Sequence, residues 1–463
     1  MTQPTERSRE FRHLLRIAAP LALYYLTEVA MGLTDMVIVG RLGSDELAAV
    51  GLSAGIVIES IIVCFGVLSL VGVLSSHALG RAQRERVAAI VGQGFWVALL
   101  LAAIVVTLTA RTPDLFRITG QDPVVIRLGQ EYLAWMIWVT PFALGFVVLR
   151  NFLTALSRTA VIACVTVPAV GLNLLLNYLL VFGAWGLPPM GVAGAGLASV
   201  IVNCLMVIAL LAYVRLNRDC REFPILRAAW RPDLKICGSI LKLGTPAGVT
   251  ALIEGGLFVV VGLMMGTLGT DWLAANEILF HILPMAFVVA LAIGESAAVR
   301  VAWHDGAGNV AMTRWTTRTA MALAGGVMLS AALVLWLFPE PIVGLFIDVD
   351  APDNADVVAI ALSLTSIAAI FQLFDGLQVV ALWCLRGLRD TLFPMLIASA
   401  GYWLCGLGSG YWLGFVLDTG ATGVWWGLAA GLTITGVLLA TRLYLFLRAR
   451  ERAIGSGSPV PEK

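Results

Sequence analysis

Charge is scarce in this chain, and so is every residue set that chemical catalysis would need. Only 13% of its 463 residues are Asp, Glu, Lys or Arg, where soluble domains carry about 25%. Four histidines (His13, His77, His281, His304) are scattered without metal-ligand spacing, and seven cysteines show no C-x-x-C pairing. Neither a zinc site nor a disulfide framework is supported. The sequence offers no clustered nucleophile, base and metal, so nothing in it points to a membrane-embedded enzyme or a cofactor. A net charge of +1 argues neither for nor against a charged partner, and no nucleic-acid partner is expected.

Apolar sequence is what the chain has in plenty. With 59% hydrophobic residues and a mean hydropathy of +0.91, it reads as an all-α polytopic membrane protein lying in the lipid bilayer. Twelve windows of about 20 apolar residues, from 14–40 to 421–447, predict twelve transmembrane helices. The first window outruns a signal-peptide core, carries Glu28 and Asp35, and lacks a small-residue cleavage site. A resident helix is expected there.

The chain repeats itself. Shifted by 226 residues, Pro20 meets Pro246, Leu26 meets Leu252, Glu28 meets Glu254 and Gly40 meets Gly266; Leu42-Gly43-x-Asp45-x-Leu47-Ala48-Ala49 meets Leu268-Gly269-x-Asp271-x-Leu273-Ala274-Ala275. Ten identities in thirty positions exceed what a biased composition gives by accident, so each half holds six helices. Six is even, hence the repeats are parallel. The expected domains are an N-lobe over 1–214, a basic linker over 215–236, a C-lobe over 237–450 and a disordered tail over 451–463. With the N-terminus inside, 26 of 30 Lys and Arg fall on the cytoplasmic side, leaving Arg41, Arg111, Arg117 and Arg127 outside. Both termini are then cytoplasmic.

A carboxylate at mid-membrane costs about 2.5–3.5 kcal/mol, so each one needs a reason. Glu28 and Asp35, seven apart on the first helix, lie about 20° apart around its axis and share a face. Asn173 and Asn177 sit one turn apart on the fifth, where their amides can reach Asp35 or simply glue helices. In the second half stand Glu254 and Asp375. The halves have diverged: Asp35 faces Val261, and a local offset of 232 sets Asp375 against Ala143. Two carboxylates in one lobe suit an oxygen site for Na⁺, a proton acceptor, or a neutral acid pair. Glu59, Glu277 and Glu295 read first as structural or solvated, though His281 is one turn from Glu277 and the two can titrate together. Aromatics such as Tyr402, Trp403, Trp425 and Trp426 read first as interfacial anchors.

These motifs are similar to those of the multidrug and toxic compound extrusion (MATE) family, in its NorM-like bacterial branch. The residues that carry the likeness are Gly-Leu-Thr-Asp35-Met-Val-Ile-Val-Gly40-Arg-Leu-Gly43, then Lys-Leu-Gly-x-Pro246 with Glu254, and Phe374-Asp375-Gly-Leu-Gln with Leu-Arg386-Gly-Leu-Arg-Asp390-Thr391. The resemblance implies a V-shaped pair of six-helix bundles that expels organic cations in exchange for Na⁺ or H⁺, as a monomer in the bacterial inner membrane. It also implies that Asp35, Asn173 and Asn177 line a first-lobe substrate site, with Glu28 added here. Glu254 and Asp375, with Asp35, would hold the coupling cation, Na⁺ on the first two. Glu28, Glu277 and Glu295 depart from the family pattern. A lipid-linked oligosaccharide flippase, which commonly has a basic cavity, fits the acidic membrane residues less well. The loop Gly80-Arg-Ala-Gln-Arg-Glu-Arg also fits poorly to a major-facilitator transporter.

Overall fold

The computed structural model describes the backbone of residues 4–455. Among the described residues, eleven helices are long and apolar enough to cross a membrane. A twelfth crossing is the pair Pro123–Met136 and Val139–Ala155, bent by 43° at their junction. The twelve windows expected from hydropathy therefore appear as all-helical spans, with the fourth one broken.

In chain order the first half carries α1 Pro4–Gly40, α2 Ser44–Gly80, α3 Arg84–Thr109, α4 Thr112–Ile118 and α5 Pro123–Met136. It continues with α6 Val139–Ala155, α7 Ala160–Phe182, α8 Val192–Leu216, α9 Arg218–Arg221 and α10 Ile225–Ala229. The second half carries α11 Leu234–Leu268, α12 Thr270–Gly306, α13 Val310–Leu337, α14 Pro339–Val343 and α15 Ala355–Gly387. After these come α16 Leu392–Ser399, α17 Gly408–Tyr411 and α18 Gly420–Gly455, with π-helical turns at Ala400–Leu407 and Trp412–Val416. The repeat is visible in these bounds. Helices α2 and α12 are both 37 residues long, start 226 residues apart and follow the matched Gly43 and Gly269.

Packing divides the chain into an N-half unit, Leu23–Gly248, and a C-half unit, Met1–Ala22 with Val249–Lys463. The expected lobes were divisions of sequence; compactness draws its boundaries inside α1 and α11, two residues after Pro20 and Pro246. Each boundary has a physical cause. In the C-half unit the start of α1 is anchored by Glu10, 3% exposed, which accepts from Arg300 Nε at 2.8 Å and from its Nη2. Thr316 Oγ1 donates to the same carboxylate at 3.1 Å, and His304 Nε2 lies at the same distance. In the N-half unit α11 lies against α2 at Gly244 and Gly248, where an added Cβ would strike the Val67 and Val63 carbonyls.

The linker is seated rather than loose. Gln93 of α3 donates to the carbonyls of Ala228 (3.3 Å) and Arg231 (2.9 Å) and accepts from the Asp233 amide, while Trp96 Nε1 donates to Ala229. Arg158 pairs with Asp219, Arg84 pairs with Glu222, and Cys220 and Ile225 are buried. At the other end, α18 runs through Gly455, so the expected disordered tail begins as helix, and its last residues lie outside the described ones.

Two further expectations change. Arg150, counted with the inner loops, is 0% exposed on α6, its guanidinium 4.7 to 5.6 Å from the ring centres of Tyr24, Tyr25 and Phe65. Burial beside three ring faces offsets part of its lost hydration. Tyr402 and Trp425 are buried core residues of the C-half unit rather than interfacial anchors.

Glycine explains how α18 comes so close to its neighbour. Gly423, Gly427, Gly431 and Thr435 recur every four residues and face Gly414, Gly410, Gly406 and Gly401. The spacing of five between Gly401 and Gly406 would leave an α-helical face, but the π turns, bonded i to i+5, keep it aligned. Without side chains in between, backbones meet directly, the packing that lipid favours. A Cβ at Gly427 would fall on the Gly410 backbone. Gly427→Val should therefore lower stability by about 1–3 kcal/mol or more, read as a lower thermal midpoint in detergent, whereas Gly326→Ala, which faces open space, should leave it unchanged.

Candidate functional site

Besides the Glu10 anchor, each unit contains a buried polar cluster around an acid that no described Arg, Lys or His bonds. In the N-half unit, α1 carries Asp35, half-buried among the helices. The amides of Asn173 and Asn177 on α7 donate to its Oδ1 at 3.1 and 2.7 Å, and the Ser199 hydroxyl on α8 lies 3.3 Å from its Oδ2. The two asparagines face one way because four residues make about one turn, and the bond from Asn177 Nδ2 to the Asn173 carbonyl, 3.0 Å, holds them so. Buried Tyr132 of α5 stands within electrostatic reach of Asp35.

The cluster has more acceptors than donors. Asp35 accepts three bonds, but the side-chain oxygens of Asn173 and Asn177 are buried without a partner. Buried polar atoms are nearly always satisfied. Carboxylate oxygens beside orphan carbonyls favour whatever brings positive charge: a proton, a metal cation or a cationic group.

In the C-half unit, α15 carries Asp375, 6% exposed, with Gln372 and Gln378 buried three residues to either side. Glu254 on α11 is its charged neighbour, and buried Tyr402 lies within electrostatic reach of both acids and of Arg386. Gln378 Nε2 donates to the Tyr402 hydroxyl, and Gln372 Nε2 to the Leu283 carbonyl at 3.3 Å. Here too the carboxamide oxygens of Gln372 and Gln378 are buried and unpaired. Two acids and two orphan carbonyls repeat the acceptor surplus. Among the described residues no group of three or more His, Cys, Asp or Glu is arranged to hold a metal ion; a monovalent cation would rest on two carboxylates and neutral oxygens.

The other acids fall elsewhere. Glu28 is exposed, with buried Arg150 as its charged neighbour, and it makes no bond to the Asp35 cluster one helical heptad away. Glu277 is also exposed, and His281 Nδ1 donates to its backbone carbonyl at 2.8 Å, not to its carboxylate. Glu295 is buried on α12, and Glu59 is half-buried with one oxygen unpartnered.

Comparison with known proteins uses the same two halves. The MatE family model matches residues 20–179 and again 246–412, two stretches whose starts are separated by the repeat spacing. The chain belongs to the MatE family. It is 40% identical over 442 residues to the "Probable multidrug resistance protein NorM" of Burkholderia mallei, covering 95% of this chain and 94% of that one. A second relative, a Pseudomonas aeruginosa protein of the same description, is 37% identical, over 92% of this chain and 88% of its own. Among solved structures, the eukaryotic MATE transporter AtDTX14 superposes with a TM-score of 0.85 at 21% identity, covering 96% and 98% of the two chains. An outward-facing multidrug resistance MATE family transporter gives 0.87 at 17%, covering 98% and 99%. At these identities the structures establish the fold.

Sequence reasoning named Asp35, Asn173, Asn177, Glu254 and Asp375, and the MatE fold gathers them into two clusters. It missed Ser199, Tyr402, Gln372 and Gln378. Gln372 and Gln378 carried a usable signal, because both sit at helical spacing from Asp375 in an apolar stretch. Asn177→Leu should withdraw a donor from the Asp35 carboxylate and destabilise the N-half unit by about 1–3 kcal/mol. A thermal melt in detergent checks this, and adding Asp35→Leu to the same chain should recover part of the loss.

Proposed function

We propose that this chain is a secondary antiporter of the bacterial inner membrane, exporting organic cations in exchange for external Na⁺ or H⁺. The reading fits the multidrug resistance descriptions of its relatives. The observation that carries it is the acceptor surplus, present once in each unit around an acid inside membrane-spanning helices. A transported cation and a coupling cation would both satisfy such a cluster. Occupation by one removes the attraction for the other, and two ligands that compete for one set of carboxylates in two conformations are coupled without touching.

In this proposal Glu254 and Asp375 receive the coupling ion, as Na⁺ held by their oxygens or as a proton. Asp35, with Asn173 and Asn177, binds the substrate cation and shares the coupling charge, and exposed Glu28 adds a negative charge on the approach. The positive-inside bias supports a cytoplasmic position for both termini, and withdrawing buried Arg150 from the basic count leaves that bias intact. The protein acts as a monomer, and the sequence repeat supplies the N-lobe and C-lobe that alternate.

The test is purified protein in liposomes, with efflux of an ethidium-type dye followed under separately imposed Na⁺ and pH gradients. At least one gradient should drive concentrative movement; a dye distribution indifferent to both refutes the antiporter. Asp375→Asn and Glu254→Gln should each lower gradient-driven exchange tenfold or more. Asp35→Asn should weaken dye binding measured with no gradient present.

A further inference from the structure

We propose that the cleft between α13 and α18 in the C-half unit binds the headgroup of an anionic phospholipid. The cleft encloses about 220 Å³. That is below the ~300 Å³ where pockets for whole drug-sized ligands begin, so it suits a headgroup and its first methylenes rather than a transported compound.

Its lining is graded along both helices. On α13, Arg314 and Arg318 stand at the mouth and Met321 lies about 4.5 Å deeper than Arg318. On α18, Arg448 and Leu447 lie nearest the mouth, with Tyr444, Leu443 and finally Ala440 following inward along the helix. Helix α13 has 28 residues, about 42 Å against a hydrocarbon core of about 30 Å, so its first turns stand in the headgroup layer. Guanidinium groups at phosphate depth above an aliphatic floor match a molecule with a negative head and apolar tails.

The arginines at this end of the unit are not equivalent. Arg300 pairs with Glu10, Arg314 with Glu451 at 2.6 Å, Arg442 with Asp390 at 2.7 Å, and Arg450 with Asp305. Arg318 and Arg448 are exposed and make no hydrogen bond or ion pair among the described residues. Both of these free charges line the one cleft. Arg314, also in the lining, is already engaged by Glu451, leaving two guanidinium groups to share a phosphate.

The test is native mass spectrometry of the full chain in neutral detergent, titrated with phosphatidylglycerol or phosphatidylcholine; it reads no transport, so it stands apart from the antiporter assay. Wild type should retain phosphatidylglycerol preferentially. R318Q/R448Q should lose that preference by roughly thirtyfold, R318K/R448K should keep most of it, and R86Q/R231Q, which removes two exposed charges from the N-half unit, should change nothing. Equal retention of the two lipids, equal losses in both glutamine pairs, or displacement of phosphatidylglycerol by excess inorganic phosphate would overturn the proposal. Should R318Q/R448Q fail to fold, retention by wild type at rising salt decides, because a preference that salt does not weaken is not made by these charges.

Discussion

Hydrocarbon offers a carboxylate nothing, and this one fact orders the placement of the acids in the helices. A charged or polar group that water would otherwise satisfy must find protein donors or be neutralised. Glu10 is met by Arg300, His304 and Thr316, Asp305 by Arg450, and Asp390, in the turn between α15 and α16, by Arg442. These acids are matched by positive partners and are structural. Asp35 is met only by neutral donors, and Asp375 has another acid for its charged neighbour. Whether an acid here is matched or left short of positive charge therefore lies in the sign of its company, not in its depth.

Close packing answers the same constraint from the apolar side. Lipid tails are as apolar as leucine, so helices gain little by hiding side chains from lipid and much by fitting backbone to backbone. The glycine rows of α18 and the π turns beside it make such a fit, as do Gly244 and Gly248 against α2. The glycine rows fix where α18 and the π-helical segment stand against each other, and with them Tyr402.

Much of this was legible in the sequence, for identifiable reasons. An acid or asparagine inside an apolar run is conspicuous, and helical spacing tells which of them share a face; Asp35, Asn173 and Asn177 were found this way. The repeat spacing of 226 was equally plain, and it fixes the length and start of α12 from those of α2. What stayed hidden depends on partners from distant segments. Ser199 looks like any small residue of a membrane helix, and Tyr402 like any interfacial ring, until α8 and the π-helical segment bring them to their acids. Glu10 resembles an ordinary charge in a basic leader, and Arg150 an ordinary loop arginine. Neither reading survives burial. The glycine rows gave no pairing signal because the row on α18 steps by four while the facing row breaks step once, at the five residues between Gly401 and Gly406.

The division of α1 and α11 between the two packing units has a consequence for the history of the chain. The first turns of α1 belong with sequence that begins more than two hundred residues later, and the first turns of α11 belong with the preceding half, at matched positions. The two copies of the repeat exchange segments, each contributing its opening turns to the other's packing unit. The arrangement is that of a domain-swapped dimer fused into one chain, and a polypeptide cut in the linker would again consist of two halves, neither complete in itself.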